Sequence, residues 1–204
     1  METLKLDWDG ATAGLAVLTL NRPGALNAMN TRMMTELLHL LREQAYNDAL
    51  RCMVITGAGD RSFSTGGDLK ERNGMSNEQW RRQHHLIEDM FEALWNFPVP
   101  SIAAVEGFAY AGGCELALGT DFIIASETAE FAVKEITRGI MPGGGGRVQR
   151  VWQSCRRPKR MRMARNGAKV EPKIATAMRK RPNRSMKLEL MIRAALAARS
   201  WVAK

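Results

Sequence analysis

Two glycine-containing segments carry the residues best suited to chemistry: Phe63-Ser64-Thr65-Gly66-Gly67-Asp68-Leu69-Lys70 and Gly107-Phe108-Ala109-Tyr110-Ala111-Gly112-Gly113-Cys114-Glu115-Leu116. Each leaves a strand-like run, and glycine lets the chain turn backbone N–H groups toward a ligand with no side chain in the way. In the second segment these N–H groups also open a helical run, where the helix dipole favours negative charge. Two such groups aimed at one point form an oxyanion hole, each donor being worth about 3 to 4 kcal/mol in a transition state. Gly-Gly pairs also occur as plain turns, so spacing alone leaves both readings open. Taken singly, Glu115 reads as a charge complementing the helix dipole and Glu135 as an exposed loop charge.

Other reactive side chains point elsewhere. Cys52, Cys114 and Cys155 are odd in number and widely separated, which suggests buried, reduced thiols and neither a disulfide framework nor a zinc site. His39, His84 and His85 show no ligand-like spacing, so no metal site is expected. His84 and His85 fall beside the polar face of a helical segment and read as solvated, while Trp80 and Trp95 sit at core spacing on its apolar face.

The elements that must position the turns alternate as in an α/β protein. Leu15–Leu20 is a strand closed by Asn21-Arg22-Pro23-Gly24. Asn30 or Thr31 can cap a helix with Met33/Met34, Leu37/Leu38 and Leu41 on one face. Cys52–Thr56 is a strand. A helix from about Asn77 follows, with Trp80, Ile87, Met90/Phe91 and Leu94/Trp95 as its stripe, ending before Pro98. Ser101–Val105 and Asp121–Ala125 are further strands, flanking a short helix over Gly112–Leu118. No internal repeat is visible. After Gly146 only Leu188, Met191, Ala195, Ala198 and Trp201 keep helical spacing.

A chain of 204 residues suits one globular unit, and its 45% apolar and 25% charged fractions are ordinary for such a domain. No apolar run approaches the ~20 residues of a membrane span, and the N-terminus has no targeting character, so a cytoplasmic protein is expected. The net charge of +9 is unevenly placed. Residues 1–146 hold 12 Lys+Arg against 19 Asp+Glu, net −7, whereas residues 147–204 hold 18 against 2, net +16.

Taken together, five segments resemble consecutive signatures of the crotonase family, enzymes of coenzyme A thioesters. They are Leu20–Met29 (LNRPGALNAM), Phe63–Lys70, Pro100–Gly107 (PSIAAVEG), Gly112–Leu118 and the run from Phe131-Ala132-Val133-Lys134-Glu135 to Gly139–Gly146. The resemblance implies an α/β, crotonase-like fold of stacked ββα units over residues 1–146, followed by a basic, divergent segment over 147–204. It implies that the N–H groups of Gly67 and Gly112 bind the thioester oxygen. Gly67, Asp68, Leu69 and Lys70 would border the bound CoA, with Lys70 meeting a phosphate as a compact cation, and Ala25 and Leu26 would contact the adenine end. Read singly, Lys70 is a solvated charge.

Glutamates at both 115 and 135 resemble the enoyl-CoA hydratases. By that analogy Glu115 activates water for attack at the β-carbon and Glu135 exchanges the proton at the α-carbon. The logic is general: hydration of a conjugated double bond needs a base for the nucleophile and an acid for the carbanion, and two close carboxyls share protons unequally. The alternatives are an enoyl-CoA isomerase, for which one carboxylate suffices, and a catalytically weak crotonase-like protein whose basic tail binds RNA. The resemblance further implies an acyl-CoA substrate, no cofactor other than the CoA carried by that substrate, and a homotrimer or hexamer.

Beyond Gly146 the pattern departs from the family. Arg147-Val148-Gln149-Arg150 matches in part, Asn166–Pro172 echoes a helix-to-turn segment, and Arg179-Lys180-Arg181-Pro182-Asn183-Arg184 stands where a strand is expected. Relative to the family, the chain stops some tens of residues early. A disrupted C-terminal region, an engineered sequence and a basic extension for nucleic acid are the three readings; disruption is preferred, and Trp152 and Trp201 as the segment's only aromatics argue against nucleic-acid binding. A segment this charged offers few apolar positions to offset an ordering entropy of ~1 to 2 kcal/mol per residue, so low stability and compromised assembly are expected from Arg147 on.

Overall fold

The computed structural model describes residues 1–139 and Pro142 of the chain. The expectations for Gly143–Gly146, for Cys155 and for the basic segment 147–204 with its Leu188–Trp201 helix lie outside the described residues.

Five strands form the larger sheet, in the order β1 (Leu4–Trp8), β2 (Leu15–Leu20), β3 (Cys52–Gly57), β5 (Ser101–Val105) and β7 (Phe122–Ala125). Only β1 runs antiparallel to its neighbour. The inner strands LAVLTL, CMVITG and SIAAV are almost wholly buried, as expected where helices or loops cover both faces of a parallel sheet. Their side chains divide with the two-residue period of a strand. Leu18, Leu20, Met53, Ile55, Ala103 and Val105 face the main core, while Val17, Cys52, Val54, Ile102 and Ala104 form a second cluster on the opposite face. Burial pushes the Cys52 thiol up to about 12, so it stays protonated.

Two helices cover the main core. In α1 (Thr31–Gln44) Asn30 is the cap, its side-chain oxygen accepting the Met33 N–H at 3.0 Å, and Met33, Met34, Leu37, Leu38 and Leu41 are buried. Ser76 and Gln79 close a capping box at the start of α3 (Asn77–Trp95), which buries Ile87, Met90, Phe91 and Leu94. Trp80 departs from the core role expected of it. It is 48% exposed, because its side chain lines a cavity in place of the packed core.

A smaller sheet of three parallel strands, β4 (Ser62–Ser64), β6 (Phe108–Tyr110) and β8 (Glu130–Ala132), lies against the larger one. The chain alternates between sheets: β3 then β4, β5 then β6, β7 then β8. The first pair is followed by α2 (Leu69–Arg72) and α3, the second by α4 (Gly112–Gly119). These are the stacked ββα units the resemblance implied, repeated in structure without a sequence repeat. No helix among the described residues is long and apolar enough to cross a membrane.

Two polar anchors fix the N-terminal part. Asn27, fully buried at φ 53°, donates to the carbonyls of Ala58 (2.9 Å) and Ser62 (2.7 Å) and accepts the Arg22 N–H (3.0 Å). Asn tolerates this left-handed conformation because its short amide bonds locally. Asn27→Ala is expected to cost about 3 kcal/mol, since buried partners left without a hydrogen bond cost ~1 to 3 kcal/mol each. Urea unfolding of the variant against the parent measures it.

The second anchor is Glu36 on α1, which accepts the N–H groups of Glu2 and Thr3 and the Thr3 hydroxyl, and pairs with Arg32. Burial opposes ionisation, but these donors outweigh it and lower the carboxyl from 4.5 to about 2. With the folded value depressed, the stabilisation is complete above the unfolded value and is lost as pH falls toward the folded one. Glu36→Gln is expected to flatten the acid-side slope of unfolding free energy between about pH 5 and pH 2. An unchanged slope would contradict this linkage.

Candidate active site

Because β4, β6 and β8 are parallel, their C-terminal ends emerge along one edge, about 4.8 Å apart from strand to strand. Each strand delivers a residue of interest within three positions of its end: Gly67 after β4, Gly112 after β6 and Glu135 after β8. Ligands of parallel sheets gather at such edges because the following turns present side chains and free N–H groups there.

The turn after β4 is clamped by Met29, whose N–H donates to Gly66 O (2.7 Å) and whose carbonyl accepts the Asp68 N–H (3.0 Å). In a parallel bridge the residue between two bonded neighbours turns its own N–H away, so that of Gly67 faces away from Met29. The turn after β6 passes through Ala111 at φ 51°, ψ −127°, a strained conformation for a residue with a Cβ. Its N–H donates to Ala132 O at 2.8 Å, and α4 begins at the next residue. Among the described residues, no acceptor meets the N–H of Gly67 or of Gly112.

The close approach of the two turns requires glycine. At Gly66, φ 87°, a Cβ would fall 2.7 Å from Gly112 N, and at Gly113 it would fall 2.1 Å from Ser64 O. A Cβ on Gly112 would stand 3.8 Å from Gly67 N, which places the two unpaired N–H groups side by side. The arrangement can hold one anionic oxygen.

Both glutamates face the same space. Glu115, on the first turn of α4, is 4% exposed and Glu135, in the 3₁₀ turn Lys134–Arg138, is 6% exposed. Glu135 is therefore no exposed loop charge. Its Oε2 is shut off from solvent and has no hydrogen-bond partner among the described residues, a costly state for a carboxylate unless a ligand meets it. Burial, reinforced by the charges of Glu115 and Glu135, pushes the Cys114 thiol up to about 11, which removes it as a nucleophile.

These groups line a cavity of about 1070 Å³. Its apolar wall is Met34, Ile87, Met90 and Phe91, and Ala25, Leu26, Asp68, Leu69 and Lys70 line it as well. The nine residues assigned to the site from the sequence, Gly67, Gly112, Glu115 and Glu135 with Ala25, Leu26, Asp68, Leu69 and Lys70, all line this one space. Asp68 differs from the expectation in one respect: its carboxylate caps α2, accepting the Lys70 and Glu71 N–H groups, and pairs with Arg22 at 2.9 Å. Burial opposes its ionisation, but Arg22 and these N–H groups lower its pKa. His84 also departs from the solvated role expected of it, lining the cavity and stacking on Trp80 at 5.2 Å. Arg22, from the first of the family-like segments, and Arg72, which carries no sequence signal beyond its charge, border the cavity too.

The sequence profile described as enoyl-CoA hydratase/isomerase matches residues 10–178. The chain belongs to that family. Its match runs past Gly146 into the basic segment. Relatives in the enoyl-CoA hydratase/isomerase family include the short-chain-enoyl-CoA hydratase of Clostridium acetobutylicum, 40% identical over 132 residues, covering 65% of this chain and 51% of that protein. The mitochondrial enoyl-CoA hydratase of Pongo abelii is 36% identical over 166 residues, covering 81% and 56%. The crystal structure of enoyl-CoA hydratase from Bacillus anthracis superposes with a TM-score of 0.69 at 37% identity, covering 72% of this chain and 57% of that one. Pseudomonas aeruginosa DspI gives a TM-score of 0.71 at 28% identity, covering all of this chain and 75% of the other. The chain thus spans between about half and two thirds of the length of the curated family members it matches.

Proposed function

We propose that this chain carries an active site for the reversible addition of water to a 2-enoyl-CoA thioester. The observation that supports this best is the convergence on one cavity, large enough for an acyl-pantetheine, of two buried glutamates and two glycine N–H groups that meet no acceptor among the described residues. The thioester oxygen would lie between the N–H groups of Gly67 and Gly112. Glu115 would take a proton from the water that attacks the β-carbon. The π pair of the double bond shifts toward the thioester, charge gathers on its oxygen, and Glu135 returns a proton to the α-carbon. Adenine would rest near Ala25 and Leu26, with the exposed Lys70 near a phosphate.

A second carboxylate favours hydration over isomerisation, which needs only one group to carry a proton between carbons. Crotonyl-CoA is the substrate that tests the reading, through loss of the conjugated thioester absorbance. Turnover of a 3-enoyl-CoA with none of crotonyl-CoA would select the isomerase, and no turnover of either would sink both.

A further inference from the structure

Beside Gly67 the cavity holds a cation that the hydration scheme leaves unused. Arg72, the last residue of α2, lies with its guanidinium over Gly67: a Cβ built there would meet Cζ at 2.9 Å and the terminal nitrogens at 3.0 and 3.2 Å. The fork is held from behind. Nε donates to Gln83 Oε1 at 2.9 Å, and Gln83, 3% exposed, is fixed through its own Nε2 by Thr31 Oγ1 (2.7 Å) and Glu71 Oε2 (3.0 Å). Among the described residues no carboxylate comes within 4.0 Å of the terminal nitrogens, although Glu71, Glu115 and Glu135 act on the cation from further away. Desolvation weakens its hold on the proton without neutralising it, arginine being charged throughout the accessible range. A fixed, partly desolvated guanidinium whose terminal nitrogens meet no hydrogen-bond acceptor among the described residues calls for an anion, and the group next to Gly67 in the proposed reaction is the thioester oxygen.

We propose that Arg72 is a catalytic residue that supplies a third, charged donor to the thioester oxygen as it becomes an enolate. The inference rests on the acyl-CoA reading above. In the step concerned, water oxygen bonds to the β-carbon and loses a proton to Glu115. The C=C π pair becomes a new bond between the α-carbon and the thioester carbon, and the carbonyl π pair moves onto oxygen, where Gly67, Gly112 and Arg72 receive it. Protonation of the α-carbon then returns that pair. The guanidinium adds a full charge where two neutral N–H groups would otherwise act alone, and charge-assisted hydrogen bonds are roughly twice as strong as neutral ones.

The test uses acetoacetyl-CoA, whose enolate has its own ultraviolet band. Bound to the parent protein, it is expected to form enolate at lower pH than in free solution. In Arg72→Met the pH midpoint of that band is expected to rise by at least about one unit, a tenfold loss of enolate stabilisation. Arg72→Lys, which keeps the charge and loses the fork, and Gln83→Leu, which releases Nε, should shift it less in the same direction and stand in should Arg72→Met fail to fold. The shift should persist in a Glu115→Gln/Glu135→Gln background. Disappearance there would show that Arg72 acts on the glutamates alone, and an unchanged midpoint in all three variants would refute the proposal while leaving the hydratase reading intact. Failure of the parent to bind acetoacetyl-CoA would remove that reading and this one with it.

Discussion

Glu135→Gln is expected to slow crotonyl-CoA hydration about 10³-fold, within the range for loss of a general acid or base, while changing acyl-CoA affinity only a few-fold. The substitution keeps the shape of the side chain and removes the proton it would exchange in the proposed reaction. The buried carboxylate oxygen has no hydrogen-bond partner among the described residues, so the amide disrupts no described contact of that oxygen on entering the same space. Stopped-flow absorbance gives the rate and equilibrium titration with butyryl-CoA gives the affinity. A variant that turns over at the parent rate would exclude Glu135 from proton transfer.

Gly112→Pro is expected to lower kcat by about 10² to 10³, the usual consequence of removing one oxyanion donor. The first position of α4 is where a helix accepts proline, because the N–H there has no helical partner. A Cβ at this position meets only the end of the Met29 side chain closely, Cε at 3.2 Å. The proline ring does press on the unusual backbone of Ala111, so Gly112→Ala is the control: it adds the Cβ and keeps the donor. The alanine variant should retain most of its turnover. Equal losses in the two, with equal thermal midpoints, would show that the N–H contributes nothing to the transition state.

Strands β2, β3, β5 and β7 and the two long helices were legible because local pattern and final environment agree. LAVLTL, CMVITG and SIAAV are apolar throughout and end up covered on both faces, and the Met33 to Leu41 stripe lies where the period of a helix puts it. The short strands β4, β6 and β8 were not legible: three residues are too few for a period, and they exist because the neighbouring units pair them. Trp80 misled for a related reason. Its spacing places it on the buried stripe of α3, but spacing fixes a face and says nothing about whether packed core or open cavity lies beneath each turn. In the site, the glycine turns and glutamates were found through the order of the motifs. Arg72 was invisible, since only folding turns a charge at the end of a four-residue helix toward Gly67.

The order in which the small sheet delivers its residues separates two tasks. Electron density on the substrate oxygen would be received by turns that follow the first and second strands, each locked to the other by glycines that leave no room for adjustment. One of the two glutamates proposed to handle protons arrives from the third strand, on a turn whose backbone contributes to neither receiving position. On the proposed scheme, a change at position 135 would therefore alter which proton moves, and where along the acyl chain it goes, without disturbing the two glycine turns. Such a scaffold can exchange one reaction of an activated thioester for another through a single side chain.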